Sequence, residues 1–254
     1  MTAIDVANVS FKYEIYRPNV LHDVSFTVEH NSITGLLGRN GCGKSTLSLL
    51  IAGLLHPGEG QVLIDGQHVY ENPRIMPTVS YMGDDPCIFD DEKIKETFAL
   101  WRDTRAAWDD GFAYQLLDMF AISPKKKPNK LSRGQRSAFY ATLGMASRCP
   151  VTIFDEVHLG MDAVARELFY RTLLEDYTRY PRTILLSSHL IEEIDNLLDH
   201  VVFLDQGRVV EMGDVDEVRM RHMLDGRLPN LTEVLMDLTI TDEQRSTLGR
   251  SAIQ

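Results

Sequence analysis

The sequence has no long uninterrupted apolar run. Stretches such as Ile33 to Leu37 and Leu47 to Leu55 are broken by Thr, Gly or Ser and fall well short of the roughly 20 residues a membrane span requires. The chain itself is therefore expected not to cross a bilayer. Basic residues are in deficit, 26 Lys and Arg against 37 Asp and Glu, giving a formal net charge of −11. That balance argues against nucleic acid as a partner, because non-specific binding to a duplex rests on cations neutralising phosphates. Only Lys125, Lys126, Lys127 and Lys130 cluster, and with Pro124 and Pro128 around them they suit a solvated loop better than a contact surface. Cysteine is scarce. Cys42, Cys87 and Cys149 form an odd set without metal-type spacing, which argues against a disulfide framework or a zinc site and for reduced thiols. Asp5, Asn8 and Lys12 interrupt the start of the chain, so no secretory leader is expected and the cytoplasm is the expected compartment.

What is present is enough apolar residue, 44% of 254, for one large domain or two small ones. Up to about Tyr81 the pattern is strand-rich: Val24, Phe26 and Val28 alternate, and Ile33 to Leu37 reads as a buried strand running into glycines. A helix is expected from Lys44, with Leu47, Leu50, Ile51 and Leu54 on one face and His56-Pro57-Gly58 as its stop. From Asp85 to Ser147 the spacing of Phe98, Trp101, Trp108, Phe112, Leu116, Leu117 and Phe120 is helical, which predicts an inserted helical subdomain. Strands return at Val151 to Phe154, Thr183 to Ser187 and Val201 to Leu204, separated by helical stretches at Ala163 to Tyr177 and Ile191 to Leu198. That alternation predicts an α/β fold with a mainly parallel sheet covered on both faces. The expected division is 1–84 with 148–212 as a core, 85–147 as the helical insert, and 213–254 as a polar tail without an assigned role.

The stretch Gly38-Arg39-Asn40-Gly41-Cys42-Gly43-Lys44-Ser45-Thr46 fits the phosphate-loop pattern. Glycines there let backbone N–H groups wrap an anion at a helix N-terminus. Lys44 would reach the β and γ phosphates, and the Ser45 hydroxyl would ligate Mg²⁺. The strand leading in and the helix leading out are the context this mechanism requires. Cys42, between two glycines and beside Lys44, is expected to have its thiolate favoured and to be alkylable. Phosphoryl transfer also needs a metal anchor and a group to orient water. In Val151-Thr152-Ile153-Phe154-Asp155-Glu156 an apolar strand ends in two acids, suiting Asp155 as the Mg²⁺ anchor and Glu156 as the water-activating base. An acid pair after a strand also suits a helix cap, and it is the phosphate loop that favours the catalytic reading.

Between these motifs, Leu131-Ser132-Arg133-Gly134-Gln135 resembles the signature of the ABC ATPases, and the likeness runs in order over about residues 4 to 213. The resemblance implies a P-loop NTPase core, an antiparallel β subdomain and the inserted helical subdomain. It implies ATP and Mg²⁺ as cofactors, and a partnership in which the signature of one subunit closes over ATP held by the other, so Ser132, Gly134 and Gln135 would act in trans. Tyr13 falls where the family places an adenine-stacking aromatic, with Phe11 and Tyr16 as close competitors. Val157-His158-Leu159-Gly160-Met161-Asp162 resembles the loop after the catalytic acid, with Asp162 facing the other subunit. His189 resembles the family's γ-phosphate-sensing histidine, although a lone His at a strand end is commonly structural.

Three positions depart from that pattern: Arg133 replaces the first signature glycine, Val157 replaces a proline, and Asp84 stands where the family has a metal-touching Gln. The alternative for Asp84 is a shifted loop in which neither Asp84 nor Asp85 meets the metal. The implied function is that of an ATP-hydrolysing subunit on the inner face of a membrane. It would work with a second ATP-binding subunit and a separate membrane-spanning permease, with a weak likeness to exporters of antibiotics or peptides. Competing readings are a soluble ABC ATPase serving assembly, such as iron–sulfur cluster building, and a small-molecule kinase.

Overall fold

The computed structural model describes residues 2–83, 89–223 and 226–240. Its strands form two sheets. The first is antiparallel and contains β1 (Thr2–Phe11), β2 (Leu21–Glu29), β4 (Glu59–Ile64) and β5 (Gln67–His68) in the order β2-β1-β4-β5. The second contains β3 (Ile33–Leu37), β6 (Val79–Met82), β7 (Val151–Asp155), β8 (Thr183–Ser188), β9 (His200–Asp205) and β10 (Arg208–Asp214). Its order is β10-β9-β3-β8-β7-β6, parallel throughout except for the β9–β10 hairpin.

Burial explains both patterns. In β2 the buried positions Val24, Phe26 and Val28 alternate with exposed ones, as on a half-covered sheet, whereas β3, β7 and β8 are buried at every residue, as on a doubly covered one. Ile33, Phe154, Ile184, Leu186, Val201 and Phe203 face a helical layer, while Leu36, Ile153, Leu185, Val202 and Leu204 face the antiparallel sheet. A one-residue slip of any central strand would exchange these two cores.

The helices are α1 (Lys44–Ile51), α2 (Ile94–Thr104), α3 (Asp110–Met119), α4 (Arg133–Ser147), α5 (Ala163–Arg179), α6 (Ile191–Ile194), α7 (Val215–Arg221) and α8 (Leu231–Thr239). The expected helical insert is present: Phe98 and Trp101 of α2, Leu116 and Leu117 of α3 and Phe139 of α4 share one core. Two helix ends correct the sequence reading. α1 stops at Ile51 and does not run through Leu54, because Gly53 at φ 71° lets the Leu54 N–H return to Leu49 O and the Gly53 N–H to Leu50 O. That pair of bonds is a Schellman closure, and it leaves Leu54 exposed. The stretch Ile191 to Leu198 is not one helix: α6 tightens into a 3₁₀ turn over Asp195–Leu197, where Asp195 is held by Arg219 at 2.7 Å.

Past Gly213 the chain rejoins the helical-side core, with Val215, Val218, Leu231 and Val234 all buried there. α8 is started by a capping box between Asn230 and Glu233. His222 joins α7 and α8 to β10, its Nε2 3.1 Å from Glu211 and its Nδ1 3.2 Å from Asp237.

One packing contact bears directly on the site. α4 begins with a capping box, Ser132 Oγ accepting the Gln135 N–H and Gln135 Oε1 accepting the Ser132 N–H. Its first turn then rests on the 3₁₀ turn Val157–Gly160, so closely that a Cβ on Gly134 would lie 2.8 Å from Gly160 O. The two glycines let the signature helix touch the loop that follows Glu156.

Candidate functional site

Strand register brings the motifs together. Leu37 pairs with Ser188 and Asp155 pairs with Ser187, so the carboxyl ends of β3, β8 and β7 lie side by side. The phosphate loop, His189 and the Asp155-Glu156 pair therefore leave the sheet at one edge, where ligands of open parallel sheets bind. A cleft of about 360 Å³ opens there, lined by Val20, Asn40, Gly41, Gly43, Lys44, Ser45, Thr46 and Glu156.

α1 starts at Gly43 without a side-chain cap, and its first turn carries no acid. Its N-terminal amides are therefore left for an incoming phosphate, and the helix brings no carboxylate of its own to oppose one. Lys44 is 4% exposed; its Nζ donates to Gly38 O at 2.9 Å and to Arg39 O at 3.2 Å, and lies 3.4 Å from Glu156 Oε1. Glu156 sits at φ 50°, a left-handed conformation that a non-glycine residue holds only under constraint. The constraint is its N–H, which reaches both Ser187 O at 3.3 Å and Ser187 Oγ at 3.1 Å. His189 Nδ1 is 3.4 Å from Glu156 Oε1, so Glu156 and His189 share the cleft end that Lys44 reaches.

Asp155 is buried. Burial pushes its carboxyl above the usual range, and hydrogen bonds from Ser187, Ser45 and Tyr81 oppose that rise. Ser187 Oγ donates to Asp155 Oδ1 and Tyr81 Oη donates to Oδ2 at 3.1 Å. Asp155 and Ser45 are therefore in contact, a carboxylate beside a hydroxyl, which is a donor set of hard oxygens suited to Mg²⁺. Tyr13 is 57% exposed, stacks edge-on against Phe11 at 5.0 Å and hydrogen-bonds Thr46 Oγ1 at 3.0 Å. That tether singles it out from Phe11, which is buried, and from Tyr16, which is 98% exposed.

Several expectations read differently in the structure. Asp84, the proposed metal switch, and its competitor Asp85 lie outside the described residues, as does Cys87. Cys42 contributes backbone to the loop, but its side chain turns inward beneath it, 5% exposed among Leu36, Leu47 and Leu204. Its thiol is pushed up, not down: burial outweighs the Lys44 charge and amide that would favour the thiolate. The expected alkylation of Cys42 is therefore corrected. Mass spectrometry after a brief maleimide pulse should find Cys42 unmodified in the native chain and modified in denaturant; rapid native labelling would contradict this placement. Asp162 caps α5, its Oδ1 accepting the Ala165 N–H at 2.8 Å. Arg133 is exposed at the first position of α4. Ser187 and Tyr81 were not singled out from sequence, although polar residues closing an apolar strand were the available signal.

This fold and cleft define a P-loop nucleotide-binding ATPase. Residues 21–158 match the model of the ABC transporter family, and the chain belongs to that family as an ATP-binding, ATP-hydrolysing subunit. It is 29% identical over 204 residues to the ABC transporter ATP-binding protein YtrB of Bacillus subtilis, covering 80% of this chain and 70% of that protein. It is 30% identical to the ATP-dependent lipid A-core flippase of Pseudomonas putida and to the sulfate/thiosulfate import ATP-binding protein CysA of Mesorhizobium japonicum. Each of those matches takes in 85% of this chain, which spans only 37% of the flippase and 64% of CysA. Among solved structures, an ATP-binding subunit of an ABC transporter superposes with a TM-score of 0.82 at 26% identity, covering 94% of this chain and all of that one. A dimeric ATP-binding cassette in a post-hydrolysis state with ADP and Pi shares the fold at TM-score 0.73 and 20% identity, over 84% of this chain and 98% of that one. No described helix is long and apolar enough to cross a membrane.

Proposed function

We propose that this subunit dimerises around ATP and drives a separate membrane-spanning partner, in the export of a drug, peptide or lipid-like substrate. The observation that carries the dimer is the place of the signature. Ser132, Arg133, Gly134 and Gln135 line no part of the chain's own cleft; they form the outward start of α4, bearing on the turn behind Glu156. A phosphate-binding group in that position serves a nucleotide on another chain. Within each cleft Lys44 and the loop amides hold the phosphates, Tyr13 lies against the base, and Glu156 with His189 orients the attacking water. Asp155 and Ser45 are the residues that would hold Mg²⁺, whose charge would draw the phosphate oxygens and keep Asp155 ionised.

The partner surface we assign is a groove at the outer edge of the parallel sheet, lined by Leu54, Met76, Pro77, Tyr81, Trp101 and Arg105. It pairs apolar lining with a cation. Through Tyr81 it also connects to Asp155, so pressure on the groove reaches the metal anchor. Export is supported by the likeness to the flippase and opposed by the equal likeness to an importer subunit. Affinity capture of the tagged chain from detergent-solubilised native membranes, with its companions identified, tests the reading. A membrane-spanning chain should copurify; recovery of soluble assembly factors alone would favour an assembly ATPase. Vesicles holding that complex with its ATP sites outward should accumulate an export substrate inside, and accumulation of nothing but efflux of preloaded solute would identify an importer.

A further inference from the structure

A buried histidine joins the two loops that carry Glu156 and His189. His158 lies in the 3₁₀ turn after Glu156 and is 3% exposed. Its Nε2 is 3.4 Å from the Oγ of Ser188, the last residue of β8 and the one before His189. The same Oγ accepts the Leu190 N–H at 2.9 Å, so the hydroxyl closes a tight turn around His189. A hydroxyl has one proton and two lone pairs, so with one lone pair taken by the Leu190 N–H it bonds Nε2 as donor or as acceptor according to the ring's tautomer. Burial lowers His158 to about 4, with Glu156 opposing the fall and His189 and Arg166 adding to it, so the ring is uncharged near pH 7. Tyr170 and His189 pack against it at ring separations of 6.1 and 6.4 Å.

Two consecutive serines thus tie β8 to β7. Ser187 holds Asp155 and the Glu156 amide, and Ser188 holds His158 and the turn containing His189. We propose that His158 is a positioning residue for ATP hydrolysis: by hydrogen-bonding the Ser188 hydroxyl it sets the approach of His189 to Glu156, now 3.4 Å apart. This rests on the assignment of Glu156 and His189 to the γ-phosphate end of the cleft. An apolar side chain at 158 would fill the space yet deprive the buried Ser188 hydroxyl of that partner, and Ser188 would turn away with His189 following. Because neither residue lines the cleft, ATP binding should not depend on the pair.

The test uses the purified 254-residue chain, measuring ATP turnover, ATP affinity and thermal midpoint. His158→Leu removes the hydrogen bond to Ser188, His158→Asn places an amide only as far out as Nδ1, and His158→Gln reaches the position of Nε2. Leu and Asn should each lower kcat roughly tenfold, since small displacements of reacting groups carry penalties of that size, while ATP affinity stays within about twofold. Gln should recover turnover to within about threefold of the unaltered chain. Ser188→Ala, which also removes the acceptor of the Leu190 N–H, should lower turnover at least as far as His158→Leu, and the double variant should be no slower than Ser188→Ala alone. A His158→Leu chain with unaltered turnover would overturn the inference, as would a Gln variant no better than Leu, or losses that multiply in the double variant. Glu156→Gln in the same assay separates the two levels. If it turns over normally, the assignment of the base fails; if it is inactive while His158→Leu and Ser188→Ala are normal, only the positioning role fails.

Discussion

Replacing Lys44 with alanine should weaken ATP binding by at least about 100-fold, through loss of a buried ammonium that makes charge-assisted hydrogen bonds to phosphate worth ~1.5–3 kcal/mol each. The local geometry explains why so much rests on one side chain. Lys44 Nζ is held over the cleft by Gly38 O and Arg39 O, so its position is set before any phosphate arrives and little rotamer freedom is lost on binding. The substitution also leaves those two carbonyls and Glu156 without their cation, which makes a thermal melt part of the experiment. Titration with a fluorescent ATP analogue checks the effect, and affinity within about threefold of the unaltered chain would remove Lys44 from the phosphate site.

Glu156→Gln should act on the other step. It keeps the shape of the side chain and its distances to Lys44 and His189, and removes the group that takes a proton from water. Turnover should fall by on the order of 10²–10⁴, the range expected when a general base is lost. ATP affinity should hold or improve, because a carboxylate facing the γ-phosphate is replaced by a neutral amide. Steady-state phosphate release with parallel ATP binding separates the two effects. A fall in binding without a fall in kcat would make Glu156 a structural partner of Lys44.

Much of this site was legible because its motifs depend on short-range order. A strand, a glycine loop and a helix starting at Lys44 are adjacent in the chain, and an apolar strand ending in Asp155 and Glu156 can be read without knowing its neighbours. The doubly buried β3, β7 and β8 were legible as apolar runs for the same reason. What the sequence did not show depends on which strands lie side by side. The Leu37–Ser188 and Asp155–Ser187 pairings cross long sequence separations, so Ser187, Ser188 and Tyr81 looked like ordinary strand ends. Cys42 was misread because its place in the chain, between glycines and beside a lysine, says nothing of the side chain's direction. The fold turns it into the core, where burial decides its chemistry. The end of α1 was misplaced because Leu54 continues the apolar spacing, and only Gly53's left-handed conformation stops the helix.

If ATP is both the substrate and the joint between two copies of the site, the Glu156→Gln chain, which should bind ATP without consuming it, should accumulate in the joined state. Its molar mass is measured by light scattering on a sizing column with ATP and Mg²⁺, with ADP and Mg²⁺, and without nucleotide. The mass should double in ATP alone, and a further Arg133→Glu change, which reverses the charge at the exposed first position of α4, should return it to that of one chain. A Glu156→Gln chain that binds ATP and stays monomeric, or one that dimerises equally well with Arg133→Glu, would rule out ATP held between two signatures as the joint.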